Sequence, residues 1–382
     1  MLTKLNIAPG IDKQDTEYGA EGRWTDAQNV RFHYGLPQKI GGWSTIITDT
    51  LIGVARDQHT WTDLNGVRYA AIGTDRKLYI YTEGTAYDVT PIRRGPTSLT
   101  NPFTTNGTNN VTVADTGHGA LQGDFVIFDS FSAIDGLDMN NEFEITSVTN
   151  ANSYVVTHTD TASGSTAGGG GTGNANYQIS IGQETSTYGY GWGTDVWNTG
   201  TWNTPRSTST VTIDGRNWSF DTFGEDLIAT VHKGKTFLWD TSSGTTTRAA
   251  VITQAPTSSR FNLVSMPDRH VFLFGTETTI GTASTQDDLF LRFSSQEDYT
   301  DWTPVATNTA GSFRIQDGSK IVAATRSRNA VLVWTDTSLH ALQFVGAPFT
   351  FSLVQLGGGC GAVGVHSAVD INGVAYWMST NG

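Results

Sequence analysis

The sequence predicts an all-β chain: a β-propeller of four-stranded antiparallel blades with a small β-barrel or β-sandwich domain inserted in it. Three observations lead there. Short runs rich in β-branched and aromatic residues recur along most of the chain, each bounded by Gly, Pro, Asn or Asp. The clearest runs, 321–326, 330–335, 338–344 and 349–354, form a four-strand meander, and similar groups precede and follow it. No segment longer than about ten residues carries a sustained 3.6-residue apolar period, so long helices are not expected. One such sheet cannot bury both faces by itself, and stacking copies around an axis solves that problem.

Taken in order, residues 1–48 predict an extended arm leading into a short hairpin, since few strands fit before Val30. Residues 49–92 predict the first blade, with strands at 51–56, 67–73, 77–81 and 85–89 and a two-residue turn at Asn65-Gly66. From 93 to 193 Thr, Asn, Gly and Ser surround alternating runs at 111–113, 124–128, 142–148, 153–157 and 177–181. This is the inserted domain, entered at Pro96 and left near Thr194. Its glycine run 168–173 reads as a loop, because a phosphate cradle would need a following Lys-Ser/Thr and a helix start. The segment 188–206 sets Trp192, Trp197 and Trp202 among turn formers. It reads as a linker plugging a seam, or as a sugar-stacking surface.

The remaining blades occupy 194–382. Their runs are 216–220, 226–231, 236–239 and 246–251, then 261–265, 270–274 and 289–293, closing at 301–304. The meander follows, and 367–371 with 374–377 open a last blade that stops halfway. Either the natural chain is longer, the favoured expectation, or the N-terminal hairpin completes that blade. Within the meander, alternation puts Leu332 and Trp334 on one face and Val331 and Val333 on the other.

Composition narrows the function. Aromatic residues make up 11% of the 382 residues, with 11 Trp, which marks a chain that buries cores. The single Cys360 excludes an intramolecular disulfide and a multi-cysteine zinc site. A net charge of −13 without a block of Lys and Arg argues against tight nucleic-acid binding. No membrane span or signal-peptide core is expected. The eight His are scattered, and no nucleophile elbow, His-Glu-x-x-His or EF-hand pattern occurs. The expectation is therefore no enzyme, no metal and no cofactor. One acidic constellation stands out: Asp287, Asp288, Glu297, Asp298 and Asp301. Paired carboxylates could serve a glycosidase, and 294–302 is loosely similar to the Asp-box turn of sialidase propellers, with its glycines missing.

Several stretches resemble tail structural proteins of tailed bacteriophages. They are Pro9-Gly-Ile11, Tyr18, Gly22-Arg-Trp24, Val30-Arg-Phe32 and Gly35-Leu-Pro37-Gln-Lys39-Ile-Gly-Gly-Trp43 at the N-terminus. Further along come Gly73-Thr74 with 77–81, Arg292-Phe-Ser294 with 301–304, and Gly359-Cys-Gly-Ala with His366-Ser367. The segment from His118-Gly to Gly123-Asp124 is similar to a module of such proteins. The pattern looks closest to the propeller-bearing nozzle and DNA-stabilisation proteins below the portal. That resemblance implies a ring-shaped homo-oligomer, commonly a hexamer, touching the portal or adaptor and other tail proteins. Phage DNA would pass through the lumen without specific binding, and Asp287, Asp288, Glu297, Asp298 and Asp301 are then the candidates for an acidic lumen wall that repels phosphate. It also implies a place in the virion tail after assembly in the bacterial host cytoplasm. A carbohydrate-binding propeller is the alternative, and a propeller glycosidase the third reading.

Overall fold

The computed structural model describes residues 7–42, 44–186, 214–346 and 349–379. It divides into two units, Met1–Thr48 and Asp49–Gly382. In the first, β1 (Val30–His33) and β2 (Leu36–Lys39) pair as a hairpin. Tyr34 and Gly35, with φ of 49° and 79°, make its two-residue turn. Of the hydrophobic residues described in this unit only Ala20 is buried, while Tyr18, Tyr34, Leu36 and Ile46 are exposed.

Among its described residues the second unit is all-β apart from two single 3-10 turns, Thr241–Ser243 and Ala283–Thr285. Sheet I contains β3 (Ala55–Thr62), β4 (Arg68–Thr74), β5 (Leu78–Thr82) and β6 (Thr85–Asp88). A separate eight-stranded sheet follows. Its strands are β7 (Ile92–Thr100), β8 (Phe103–Thr104), β9 (Asn110–Ala114), β10 (Phe125–Asp129), β11 (Glu142–Asn150), β12 (Ser153–Thr157), β13 (Ala167–Gly169) and β14 (Thr172–Gln178). Sheet II is β15 (Trp218–Phe223), β16 (Asp226–Val231), β17 (Thr236–Trp239) and β18 (Ala250–Val251). Sheet III is β19 (Phe261–Val264), β20 (Val271–Phe274), β21 (Phe290–Phe293) and β22 (Gly311–Arg314). Sheet IV is β23 (Ile321–Arg326), β24 (Val331–Thr335), β25 (Ser338–Gly346) and β26 (Thr350–Gly358). Sheet V has two described strands, β27 (Ala368–Ile371) and β28 (Val374–Trp377).

Sheets I to V stack face to face in chain order, and strand alternation explains how. In β16, Leu227 and Ala229 pack toward sheet I with Ala71, Leu78 and Trp239, whereas Ile228 packs toward Val264, Val271 and Leu273 of sheet III. In β20, Phe272 and Phe274 turn the other way, to Ile321, Val331 and Val333 of sheet IV. In β24, Leu332 and Trp334 face Ala368 and Ala375 of sheet V. The two faces predicted for β24 are thus both buried, one against each neighbour. Sheets I and II touch although the eight-stranded sheet lies between them in sequence. Trp218 Nε1 donates to the Thr74 carbonyl at 2.7 Å. A Cβ at Gly73 would lie 2.4 Å from the Trp218 ring, so this approach requires glycine.

Four sequence expectations are corrected. The first strand of sheet I is 55–62, not 51–56, because the earlier backbone is spent on the 74–75 turn. Ile52 N–H donates to Tyr79 Oη at 3.0 Å and Val54 N–H to Asp75 Oδ1 at 2.6 Å. Asn65-Gly66 sits in a five-residue loop between paired Thr62 and Arg68, since the Asp63 carboxylate takes the Val67 N–H at 2.8 Å. Sheet III closes with β22 rather than 301–304. Trp302 drops into the core between sheets II and III, its Nε1 donating to the Tyr299 carbonyl at 2.7 Å. The glycine run 168–173 is partly strand, with Thr172 and Gly173 paired to Thr100 and Leu99 of β7.

The strand order of the eight-stranded sheet is β13-β8-β9-β12-β11-β10-β14-β7, with β7 and β13 as edges and no ladder joining them. One core lies under it, built by Phe103, Val113, Phe128, Ile145, Val156 and Tyr177 from six strands. Pro96 lies inside β7, where Gly95-Pro96 faces Asn176 alone between the pairs Arg94–Tyr177 and Thr97–Ala175. An edge bulge is where a sheet tolerates proline.

A buried charge network fixes this sheet to the stack. Lys77, only 2% exposed, bonds Asp88 at 2.8 Å and also Glu142 of β11. Arg248 of sheet II reaches Asp88 at 3.2 Å and Glu142 at 3.6 Å. Burial pushes the Asp88 carboxyl up, but the charges of Arg248 and Lys77, with hydrogen bonds from Lys77 and Thr90, outweigh it and hold it at about 2. A depressed carboxyl stabilises the fold above its ordinary value of 3.8 and loses that contribution as pH falls toward about 2.

Two predictions follow from this packing. Trp334→Ala should cost about 3–5 kcal/mol in chemical denaturation, as a fully buried ring is lost between sheets IV and V. A loss below about 1 kcal/mol would mean the ring is not enclosed. Asp88→Asn should melt at a lower temperature than the parent at neutral pH, and the gap should shrink as pH falls from 3.8 to about 2. A gap constant across that window would remove Asp88 from the network's energetics.

Candidate functional site

The first strand of each stacked sheet is also its most polar at one end, and these ends meet. Asp57 and His59 of β3, Asp221 of β15, Asn262 of β19, Arg326 of β23 and His366 just before β27 line one cavity of ≈ 260 Å³. Every sheet of the stack contributes at least one polar side chain.

Most of these groups are tied. Asp221, 2% exposed, accepts from the Val264 N–H at 2.6 Å and the Thr222 N–H at 2.9 Å, and forms an ion pair with Arg326. Asn262 Oδ1 accepts from Ser219 Oγ at 2.6 Å and its Nδ2 donates to the Ile228 carbonyl at 3.1 Å. Sheet II is thereby locked to sheets III and IV at the innermost strand. His366 Nε2 lies 3.5 Å from Asp57 Oδ1, an ion pair between the last sheet and the first when the ring is protonated.

Two shielded atoms of lining residues have no hydrogen-bond partner among the described residues, His59 Nε2 and Arg326 Nε. Burial lowers the His59 pKa, against the pull of Asp221, and favours the neutral ring. Burial raises the Asp57 carboxyl, opposed by His366 and the Gln58 N–H. Phe220 and Phe261 complete the wall with aromatic surface. The lining is thus mixed, with polar groups mostly engaged with one another beside aromatic side chains.

Sequence reasoning did not single out these residues. The signal was present: Asp221 and Asn262 interrupt otherwise apolar runs at the start of their sheets, at Trp218-Ser-Phe-Asp and Phe261-Asn-Leu-Val. Burial at such a position requires a partner.

The acidic constellation is not brought together. Asp287 and Asp288 precede β21, whereas Glu297, Asp298 and Asp301 follow it at the other end. Asp287 accepts from Arg314 at 2.6 Å, Asp288 from Arg260 at 3.1 Å and Glu297 from Arg269 at 2.9 Å. Asp298 Oδ1 holds the Thr300 N–H at 2.8 Å, and Asp301 Oδ2 takes Asn308 Nδ2 at 2.8 Å. These are turn and ion-pair roles, and paired acid–base catalysis needs two carboxylates facing one space. Cys360 packs against the sheet IV–V core. The tryptophan-rich segment 188–206 lies outside the described residues. No group of three or more His, Cys, Asp or Glu suited to a metal occurs among the described residues, and no described helix is long and apolar enough to cross a membrane.

No protein-family model and no curated protein matches the chain. Among solved structures it is similar to the phage phi92 endosialidase, at 12% identity and a TM-score of 0.28. The match covers 80% of this chain and 50% of that one. The chain thus spans half the length of the structure it matches.

Asp221→Ala is expected to destabilise the fold by about 3–5 kcal/mol, because it strands Arg326 and the Val264 N–H. The double variant Asp221→Ala/Arg326→Met should recover part of that loss in a double-mutant cycle. Strict additivity would show that the pair does not couple.

Proposed function

We propose that this chain is a virion structural protein of a phage tail, part of a ring-shaped nozzle or tail tube that retains the genome and then conducts it into the host. The stacked sheets are read as propeller blades about the shared cavity. The observation that carries the reading is the N-terminal unit. It holds the most specific tail-protein motif, from Pro9 to Trp43, yet among its described residues buries a single hydrophobic one and leaves Tyr34 92% exposed. A segment with so little core of its own gains stability by lying on other protein surface, which is what a subunit of a ring provides. The partners on this reading are copies of the same chain, the portal or adaptor and other tail proteins, assembled in the bacterial cytoplasm. DNA is a passenger. The net charge of −13 suits a lumen that phosphate does not bind. Asp287, Asp288, Glu297, Asp298 and Asp301 remain the lumen candidates, with the first three partly neutralised by arginine.

A second reading, a carbohydrate-binding propeller, is favoured by the aromatic and polar cavity between the first strands. Both readings describe a protein that acts by shape and binding rather than catalysis.

The test is the size of the purified particle with and without the arm. The full chain should sediment as a discrete ring, and a chain lacking residues 1–48 should sediment as a monomer with the melting transition of the stacked sheets retained. A monomeric full chain under all assembly conditions would contradict the ring.

A further inference from the structure

We infer that a second cavity, between sheets III and IV, binds an apolar monocarboxylate, one carboxylate carried on an alkyl or aryl group. This stands apart from the ring reading, since a tail subunit needs no such ligand. It also stands apart from the polar cavity above, with which this one shares no lining residue. The second cavity has ≈ 420 Å³, within the range that takes small molecules. The β19–β20 turn supplies Met266, the β23–β24 turn Arg328, and the strands Val331, Leu342, Phe344 and Phe351. Val331, Leu342 and Phe351 belong to the buried core between the two sheets, so the cavity opens out of that core. Met266 and Phe344 line the same space yet stay 49% and 43% exposed. Apolar side chains left in water around a concavity with a polar rim are the mark of a binding site. The Phe344 ring is fixed, with its centroid 5.5 Å from Phe351 and 5.8 Å from His270. The apolar wall therefore stands ready before a ligand arrives.

Charge decides the polar end of the ligand. Arg328 is exposed, and among the described residues nothing pairs with it. The acids around it are committed elsewhere. Asp268 lines the same cavity but is only 8% exposed, bonded to Ser265 Oγ at 2.7 Å and His270 Nδ1 at 2.9 Å. Asp370, in the sheet V turn that approaches Arg328 at Gly373, accepts from Ser327 Oγ at 2.7 Å and the Gly373 N–H at 2.9 Å. The charge available to a ligand is thus one guanidinium, whose fork matches a carboxylate. Gln296 and Asn329, both exposed, add amide groups to the rim. A phosphate dianion would call for more than one cation, and a sugar would waste the apolar walls. A single carboxylate on a hydrocarbon body uses both halves of the site.

The experiment is saturation-transfer NMR and calorimetry on the full chain with octanoate and 3-phenylpropionate in the millimolar range. At least one of the two acids should bind saturably. Octylammonium, which has a chain of the same kind and the opposite charge, should bind far more weakly. Arg328→Gln removes an exposed, unpaired charge, so the melting temperature should not change. It should weaken the acid by about tenfold or more, as expected for a lost charge-assisted hydrogen bond. Met266→Gln, on a half-exposed residue, should weaken it as well with the fold retained. If neither acid binds, or octylammonium binds as tightly as octanoate, the inference is overturned. If either variant binds the acid as tightly as the parent, this cavity is not its site and the inference is equally overturned.

Discussion

Every inner sheet of the stack must be apolar on both of its faces. That requirement shapes the rest of the structure. A strand such as Val331-Leu-Val-Trp-Thr335 serves two cores at once, with Val333 in one and Trp334 in the other. It is why these runs read as continuous apolar stretches rather than as alternation of apolar and polar residues. It also moves polar residues to strand ends and to first strands. There Asp221, Asn262 and Arg326 tie sheets II, III and IV together. The polar cavity is thus a consequence of the stacking as well as a brace for it.

The eight-stranded sheet obeys a different rule. It carries its own core under one face and needs the stack only for placement. Placement comes from Lys77, which is buried yet surrounded by Asp88, Glu142 and the neighbouring Arg248. Removing one partner of such a network leaves another charge without compensation in a poorly hydrated place. A charged joint of this kind fixes direction more strictly than a greasy one, because each hydrogen bond constrains an angle as well as a distance. The joint can therefore hold the eight-stranded sheet at one orientation without merging the two cores.

The sequence carried the strand runs well because burial on both faces leaves a strong mark. Sheets II and IV lie close to where the runs put them, and the turns at Glu83-Gly84 and Asn372-Gly373 have positive φ at both residues. What escaped depended on distant partners. The true start of sheet I was set by Asp75 and Tyr79, which capture the backbone of the preceding residues. Strand β22, Gly311-Ser-Phe-Arg314, has too few apolar residues to announce itself, and its Gly311 lies opposite Phe293, where a Cβ would sit 2.3 Å from the ring. The acidic constellation looked like one site because its residues are near in sequence, but a four-residue strand separates its halves. The polar cluster was invisible for the opposite reason. Its members are spread from residue 57 to residue 366, and only the stacking brings them to one cavity.

The central claim is that a stack of sheets with a coreless N-terminal arm is the subunit of a ring around a passage for DNA. An electron cryomicroscopy map of the intact particle tests it most directly. The account predicts density for this chain as a closed ring below the portal, coaxial with the genome, with each arm lying on a neighbouring subunit. Density for the chain only at the particle's periphery, away from the path of the DNA, would contradict it.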